Sequence, residues 1–197
     1  MTTEAALFEP CSGSHWSEGW WHAARRLESP HMDARPDGVS VDLVVLHAIS
    51  LPPGQYGGPQ IEQLFMGVLD TQAHPATAGL QGVRVSAHFL IQRCGALTQF
   101  VSCDARAWHA GASSFQGRER CNDYSIGIEL EGLDGALFTP AQYASLARLL
   151  KALAQRYPIA AVQGHEHIAP GRKRDPGPGF DWARAAQGCP LDWQWPV

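Results

Sequence analysis

The segment from residue 164 to residue 179 concentrates side chains that can bind a metal ion or carry charge. It contains His165, His167, Lys173 and Asp175, separated by prolines and glycines. Such residues restrict or permit unusual backbone angles, so the loop can hold polar groups without a helix or strand beneath them. Imidazole and carboxylate are zinc ligands, and a cation stabilises an oxyanion. The segment favours a hydrolytic metal site, with an ordinary charged surface loop as the alternative.

A further histidine follows a predicted central strand. Residues 41–46 are almost continuously apolar and rich in β-branched side chains, which predicts a strand buried on both faces. His47 ends this strand, and a loop rich in proline and glycine comes next. Residues 159–162 predict another short strand, which leads to His165. Each strand therefore carries a histidine at its carboxyl end.

These two histidines can share one metal ion if their strands are neighbours in the sheet. Asp175 and His167 are the candidates for a third ligand. Two histidines with one aspartate leave a fourth position for water, which is the arrangement of a catalytic zinc site. Zinc lowers the pKa of such a water to about 7 and polarises a carbonyl group. The spacing therefore predicts a metal-dependent hydrolase without indicating its substrate.

A predicted strand and the metal-site loop offer the remaining catalytic groups. Residues 125–131 alternate, with apolar side chains on one face and both Glu129 and Glu131 on the other. Either glutamate could take the proton of the water, and simple solvent exposure is the alternative. Lys173 or Arg172 could stabilise the tetrahedral oxyanion.

Helices alternate with these strands, which predicts a single-domain α/β fold with helices packed on a sheet. Apolar residues at helical spacing predict a helix over 60–70. Thr139 before Pro140 is an N-cap signal, and the helix that it begins runs over 139–157. The other predicted elements are strands at 84–92 and 97–102, a long loop at 103–123 and a terminal helix at 180–187.

Length and composition narrow the class of protein. The 197 residues suit one domain, with residues 1–40 as an irregular cover rich in Trp, Pro and His. The formal net charge of -4 argues against a nucleic-acid partner, and no apolar stretch is long enough to cross a membrane. The first ten residues lack a signal-peptide pattern, and the five cysteines have no paired spacing. We therefore expect a cytoplasmic protein with reduced thiols.

Several long motifs together resemble the zinc-dependent N-acetylmuramoyl-L-alanine amidases. The likeness covers nearly the whole chain and is strongest to the cytoplasmic members that act on 1,6-anhydro-N-acetylmuramyl-L-alanine. The motifs that carry it are His47–Gly54, Ser86–Phe89, Ala107–Gly111, Asn122–Gly132, and Gly164–His165 through Asp175–Pro178.

The resemblance implies both a fold and a metal centre. The fold would be a mixed central β-sheet flanked by helices, as in peptidoglycan-recognition proteins and phage amidases. The metal would be zinc, held by His47, His165 and Asp175. The resemblance also selects Glu129 over Glu131 as the general base.

The resemblance further implies a reaction. With Lys173 as the cation for the transition state, the enzyme would hydrolyse the amide between the lactyl group of 1,6-anhydro-N-acetylmuramic acid and L-alanine of the stem peptide. That places it in peptidoglycan recycling, which affects β-lactamase induction in bacteria with that circuit. The anhydro-muropeptide is anionic, so we expect Arg84 and Arg120 as carboxylate partners, with exposed arginines of no such role as the alternative. Trp108 would cover the sugar or peptide, or simply pack within its loop.

Two positions depart from the family pattern. Ala48 follows the first metal histidine, where the family usually has asparagine, and the change bears on how His47 is oriented. His167 occupies a position at which a small or acidic residue is more usual, so it remains an alternative metal ligand.

Overall fold

A computed structural model describes residues 15–190 and 192–196. The strands are β1 (Trp16–Ser17), β2 (Trp20–Trp21), β3 (Arg25–Arg26), β4 (Met32–Ala34), β5 (Leu43–Ile49), β6 (Phe89–Ile91), β7 (Leu97–Gln99), β8 (Ala105–Ala107), β9 (Ser114–Phe115), β10 (Arg118–Glu119), β11 (Ser125–Glu131) and β12 (Ala161–Gly164). The α-helices are α1 (Gln60–Phe65), α2 (Pro140–Arg156), α3 (His165–Ile168) and α4 (Trp182–Ala186), and 3-10 turns span Pro75–Leu80 and Cys121–Asp123.

The main sheet is mixed, as predicted. Its six strands lie in the order β12-β5-β11-β6-β7-β3. Strands β12, β5, β11 and β6 run parallel, whereas β6 and β7 are antiparallel. In the register of the ladders, His47 pairs with Glu129 and Leu46 pairs with Gly164. The carboxyl ends of three parallel strands therefore meet at one edge of the sheet, where ligands bind in open α/β folds.

Side-chain alternation along β5 decides which face of the sheet carries the site. Val44 and Leu46 belong to the apolar cluster that includes the buried residues of α2. Leu43 and Val45 belong to a separate cluster on the other face. Because successive side chains point to opposite faces, His47 lies on the side of Leu43 and Val45, away from α2. Helix α2 thus covers one face and leaves the other to the site.

Several predicted elements agree with the structure. Strand β11 has the predicted bounds 125–131, and β12 lies two residues beyond the predicted 159–162. The predicted terminal helix at 180–187 is the shorter α4. The predicted central strand is also present, but β5 runs to Ile49. His47 consequently lies inside the strand, and the prediction that it ends the strand was wrong.

Other predicted elements are shorter or more divided than expected. Helix α1 ends at Phe65 instead of residue 70, because Gly67 adopts a left-handed φ of 70° just beyond it. The strand expected at 84–92 is reduced to β6, since the N–H of Ser86 donates to the Trp108 carbonyl in a loop. The strand expected at 97–102 is likewise reduced to β7.

The two regions expected to be irregular contain short strands. The loop expected at 103–123 includes β8, β9 and β10. The described part of the predicted cover at 1–40 includes β1 to β4, and β3 joins the main sheet. Trp16, from the predicted cover, packs in the apolar core. Residues 1–14 lie outside the part of the chain that the structure describes. Within the described part, no helix is both long enough and apolar enough to cross a membrane.

Helix α2 begins with a complete capping box. Thr139 Oγ1 accepts the N–H of Gln142 at 3.1 Å, and Gln142 Oε1 accepts the N–H of Thr139 at 3.0 Å. The buried amide of Gln142 also donates to the carbonyls of Ile91 and Glu131. The first turn of α2 is therefore tied to the ends of β6 and β11, next to the predicted catalytic edge.

We predict that Thr139→Ala destabilises the fold by about 1 kcal/mol, because the N–H of Gln142 loses its acceptor. The measurement is the urea unfolding midpoint. Thr139→Ser is the matched control, since it keeps the hydroxyl, and its midpoint should stay close to that of the wild type. A midpoint for Thr139→Ala equal to that of the wild type would contradict the capping role.

Candidate active site

Three potential metal ligands converge at the edge of the sheet. The Nδ1 atoms of His47 and His165 are 3.0 Å apart, and Asp175 Oδ2 lies 3.1 Å from the first and 3.2 Å from the second. In tetrahedral zinc with bonds near 2.0–2.1 Å, ligand atoms are about 3.3 Å apart. The triangle formed by these two nitrogens and one oxygen therefore has the size and donor set that suit a zinc ion.

Each ligand is carried by a different piece of the chain. His47 is inside β5, and His165 is the first residue of α3, directly after β12. Asp175 lies on the loop beyond α3, and its carbonyl accepts the N–H of Glu166 at 2.9 Å. This backbone bond returns the loop to the start of α3, so that the carboxylate reaches both imidazoles.

His167 is not part of this group. Its Nδ1 accepts the N–H of Gly164 at 3.0 Å, and its ring packs edge-to-face on Trp182 with 5.4 Å between ring centroids. The ring thus caps α3 and faces an aromatic cluster, whereas Asp175 lies against the two imidazoles. Of the two alternatives for a third ligand, the geometry favours Asp175.

The two glutamates of β11 have different surroundings. Glu129 lines the same cavity as the three ligands, and its Oε2 is buried without a hydrogen-bond partner among the described residues. The carboxylate of Glu131 accepts the backbone N–H of Gly57 and that of Arg93. Glu131 therefore holds two loops in place, and Glu129 is the glutamate available for chemistry.

Burial controls the charge of these groups. It lowers the pKa of His47 to about 4 and that of His109 well below the usual value, so both rings are neutral. Burial also raises the pKa of Glu129 well above its ordinary value, and the nearby charge of Asp175 adds to this. For Asp175 burial opposes the charge, but the adjacent imidazoles of His165 and His47 outweigh it and lower the pKa.

The ligands open into a cavity of about 220 Å³. Glu129, Lys173 and Trp108 line it together with the three ligands. An adjoining hollow of about 240 Å³ shares Trp108 and Lys173 and adds Arg84 and Arg172. Water and a polar substrate can therefore approach the ligand triangle from one side.

Three residues were predicted from the sequence to bind substrate. Trp108 lines both hollows, and its ring is stacked on His31 with centroids 6.0 Å apart. Arg84 is exposed at the second hollow. Arg120 lines a different surface hollow and pairs with Asp123, with 3.2 Å between Nε and Oδ2. The structure thus places two of the three beside the cavity and Arg120 apart from it.

The two basic residues proposed for the oxyanion also differ in their contacts. The guanidinium of Arg172 donates to the carbonyls of Ala110 and Ala112 at 2.7 and 2.6 Å. Lys173 lines the cavity with the ligands. Arg172 therefore anchors a loop, which leaves Lys173 as the cation at the site. Ala48, the departure next to His47, forms part of the cavity wall.

Sequence reasoning assigned no role to His109 or Asn122, although both lie within the motifs that carried the resemblance. His109 Nδ1 is 3.0 Å from His47 Nε2, across 62 residues of sequence. Asn122 Oδ1 accepts the N–H groups of His109 and Ala110 at 3.2 and 2.8 Å. Nothing in the local pattern of either residue indicates these partners, because the contacts depend on how the loop folds over the sheet.

Comparison with known proteins shows which family the chain belongs to. The family model described as N-acetylmuramoyl-L-alanine amidase matches residues 37–178. The 1,6-anhydro-N-acetylmuramyl-L-alanine amidase AmpD of Citrobacter freundii is 59% identical over 169 residues, which is 85% of this chain and 90% of that protein.

Solved structures show the same relationship. A crystal structure of a selenomethionine derivative of AmpD is 59% identical with a TM-score of 0.84, and the match covers 86% of this chain and 96% of that one. AmiD from Escherichia coli, in complex with the substrate anhydro-N-acetylmuramic acid-L-Ala-D-γ-Glu-L-Lys, is 31% identical with a TM-score of 0.56, covering 78% and 60% of the two chains. The chain therefore belongs to the N-acetylmuramoyl-L-alanine amidase family.

Proposed function

We propose that this chain is a zinc-dependent amidase of cytoplasmic peptidoglycan recycling, with residues 1–197 as one catalytic domain. Its reaction is hydrolysis of the amide between the lactyl group of 1,6-anhydro-N-acetylmuramic acid and L-alanine of the stem peptide. Where the corresponding circuit exists, this reaction would affect β-lactamase induction. The observation that carries the proposal is the single cavity that brings together the ligand triangle and the buried carboxyl of Glu129. Similarity to AmpD over 85% of the chain supports the substrate.

The ligand set fits zinc because it combines two neutral imidazole nitrogens with one carboxylate oxygen. His47, His165 and Asp175 would hold the ion and leave the cavity side open. Bound there, zinc supplies the acidity that makes water nucleophilic at neutral pH and polarises the carbonyl of the amide.

Glu129 has the properties of the proton carrier. Its carboxyl group lies beside the ligand triangle, and Oε2 has no competing partner among the described residues. A carboxyl whose pKa is raised by burial can take a proton from the attacking water and then give it to the leaving nitrogen of alanine. We assign Lys173, which lines the same cavity, to stabilising the oxyanion as the carbonyl becomes tetrahedral.

The basic residues around the cavity suit an anionic stem peptide. Arg84 lines the hollow that adjoins the catalytic cavity, and Trp108 lies between the two. We assign Trp108 to covering the sugar or the first peptide residues and Arg84 to a peptide carboxylate. Arg120, in a separate hollow, is assigned to a more distant part of the stem.

The experiment that tests the reaction is mass spectrometry of a purified anhydro-muropeptide after incubation with the zinc-loaded protein. We expect two products, the anhydro-sugar with a free lactyl carboxylate and the intact stem peptide with a free alanine amine. An anhydro-muropeptide that binds the protein but is recovered whole would contradict the proposal and indicate a binding protein instead.

The third-ligand assignment predicts opposite effects for two substitutions in the same loop. Asp175→Ala removes one of three metal ligands, so zinc affinity should fall by more than the roughly 10–100-fold that the loss of an outer partner costs. His167→Ala should bind zinc like the wild type, because its ring faces Trp182. The measurement is competition with a chelating indicator. Retention of zinc by Asp175→Ala, with loss in His167→Ala, would transfer the ligand role to His167.

Substitution of each glutamate of β11 in turn tests which of them carries the proton. Glu129→Gln keeps the shape of the side chain but cannot accept a proton, so kcat should fall roughly 10²–10⁴-fold while zinc remains bound. Glu131→Gln lies on the same face of the strand and should keep its turnover. Glu131→Gln should instead lower the stability of the fold, because it weakens the hydrogen bonds that the carboxylate accepts from two backbone N–H groups. Full activity in Glu129→Gln would contradict the assignment.

A further inference from the structure

Next to the ligand triangle, a chain of hydrogen bonds runs from His47 through His109 into the sheet, and the proposed reaction gives it no role. His47 Nε2 lies 3.0 Å from His109 Nδ1, and His109 Nε2 lies 3.2 Å from Ser125 Oγ. Ser125 Oγ is in turn 2.6 Å from the carbonyl of Cys121. All of these side chains are buried. The partner of a metal histidine is usually a carboxylate, a carbonyl or water, so a second histidine in this place calls for an explanation.

The hydrogen bond at the end of this chain, between Ser125 Oγ and the Cys121 carbonyl, fixes the direction of the other two. The Cys121 carbonyl can only accept, so the single hydroxyl proton of Ser125 must be donated to it. Ser125 Oγ then has only lone pairs to offer, and His109 must donate from Nε2. A neutral imidazole has one N–H, so His109 Nδ1 is an acceptor and receives the N–H of His47 Nε2.

This order has one consequence for the metal centre. With its proton on Nε2, His47 presents a bare lone pair on Nδ1, which is the atom at the ligand triangle. The reverse order, or a doubly protonated His109, would place the proton of His47 on Nδ1 and block that position. A metal could then bind only after the proton had left.

The second histidine ligand, His165, is oriented by Ala110, the residue that follows His109. His165 Nε2 lies 3.1 Å from the carbonyl of Ala110, so this nitrogen donates and His165 Nδ1 is bare as well. The side chain of His109 and the carbonyl of Ala110 thus support one ligand each. Asn122 Oδ1 fixes this pair by accepting both of their backbone N–H groups.

The sequence leaves room for the ring of His109 on the sheet. A Cβ atom at Gly127 would lie 2.4 Å from Cγ of His109, closer than any ordinary contact. Gly127 is on the same face of β11 as Glu129, two residues away. The absence of a side chain there allows the imidazole to lie directly beneath His47.

From these contacts we infer that His109 is a positioning residue for the metal centre. Its Nδ1 accepts a hydrogen bond from the Nε2–H of His47 and so fixes that tautomer, in a direction set by Ser125 and the Cys121 carbonyl. The inference rests on the proposed zinc site. It concerns metal affinity and ligand orientation and assigns no proton transfer to His109.

Three variants test this role by zinc affinity, measured by competition with a chelating indicator on protein whose folding is checked by thermal unfolding. His109→Leu removes the acceptor at similar size and should weaken zinc binding about 10–100-fold. His109→Asn places an amide oxygen near the position of Nδ1 and should recover affinity to within a few-fold of the wild type. His31→Leu is the control, because His31 is equally buried but bonds to the Val85 carbonyl instead of a ligand.

Wild-type affinity in folded His109→Leu would overturn the inference. So would a His109→Asn affinity as low as that of His109→Leu, or an equal loss in His31→Leu, since either result would indicate packing. A wild-type protein that binds no zinc would instead refute the proposed function.

A second measurement needs no substitution. In nitrogen-15 NMR spectra of the zinc-loaded wild type, the imidazole couplings should identify His109 as a neutral ring with its proton on Nε2, and His47 as a ring with its proton on Nε2 and zinc on Nδ1. A proton on Nδ1 of His109, or on both of its nitrogens, would overturn the inference even if His109→Leu failed to fold.

Discussion

The structure depends on holding three electron-rich atoms within about 3 Å of one another in a mostly buried place. The Nδ1 atoms of His47 and His165 and one oxygen of Asp175 offer lone pairs to the same point. Lone pairs at this distance repel each other, and burial removes the water that would screen them. The arrangement is therefore stable only if the opposite side of each group is held firmly and if a cation occupies the centre. The rest of the site can be understood as the means of meeting those two conditions.

The order of the strands in the sheet fixes the backbone positions from which these groups are held. Strand β5 lies between β11 and β12, which brings His47 next to Glu129, and Leu46 next to Gly164, the residue that precedes His165. The face is fixed by the apolar residues that alternate with His47, because Val44 and Leu46 must pack in the cluster that includes α2. A register shift of one residue would turn the imidazole into that core. Catalytic placement and core packing are thus specified by the same strand.

The sequence predicted much of this arrangement, and the parts that it left open have a common physical cause. The local sequence predicted β11 and the face that carries Glu129 from periodicity, and the start of α2 from the capping signal at Thr139, because these depend on neighbouring residues along the chain. It could not choose between Asp175 and His167, or between Glu129 and Glu131; the family resemblance made those choices. In the structure, the N–H of Gly164 donates to the ring of His167, and two loop N–H groups donate to the carboxylate of Glu131. These bonds hold both side chains away from the proposed roles. The contact of His109 with His47 spans 62 residues and was invisible to any local pattern.

We propose that one metal ion with an open coordination position lies where these side chains meet. Anomalous diffraction at the zinc absorption edge, from crystals of the zinc-loaded protein, would locate that ion. We expect one zinc peak about 2.0–2.2 Å from Nδ1 of His47, Nδ1 of His165 and a carboxylate oxygen of Asp175, with the open position facing Glu129. Zinc bound through Nε2 of either histidine, or enclosed by a fourth protein ligand, would contradict it.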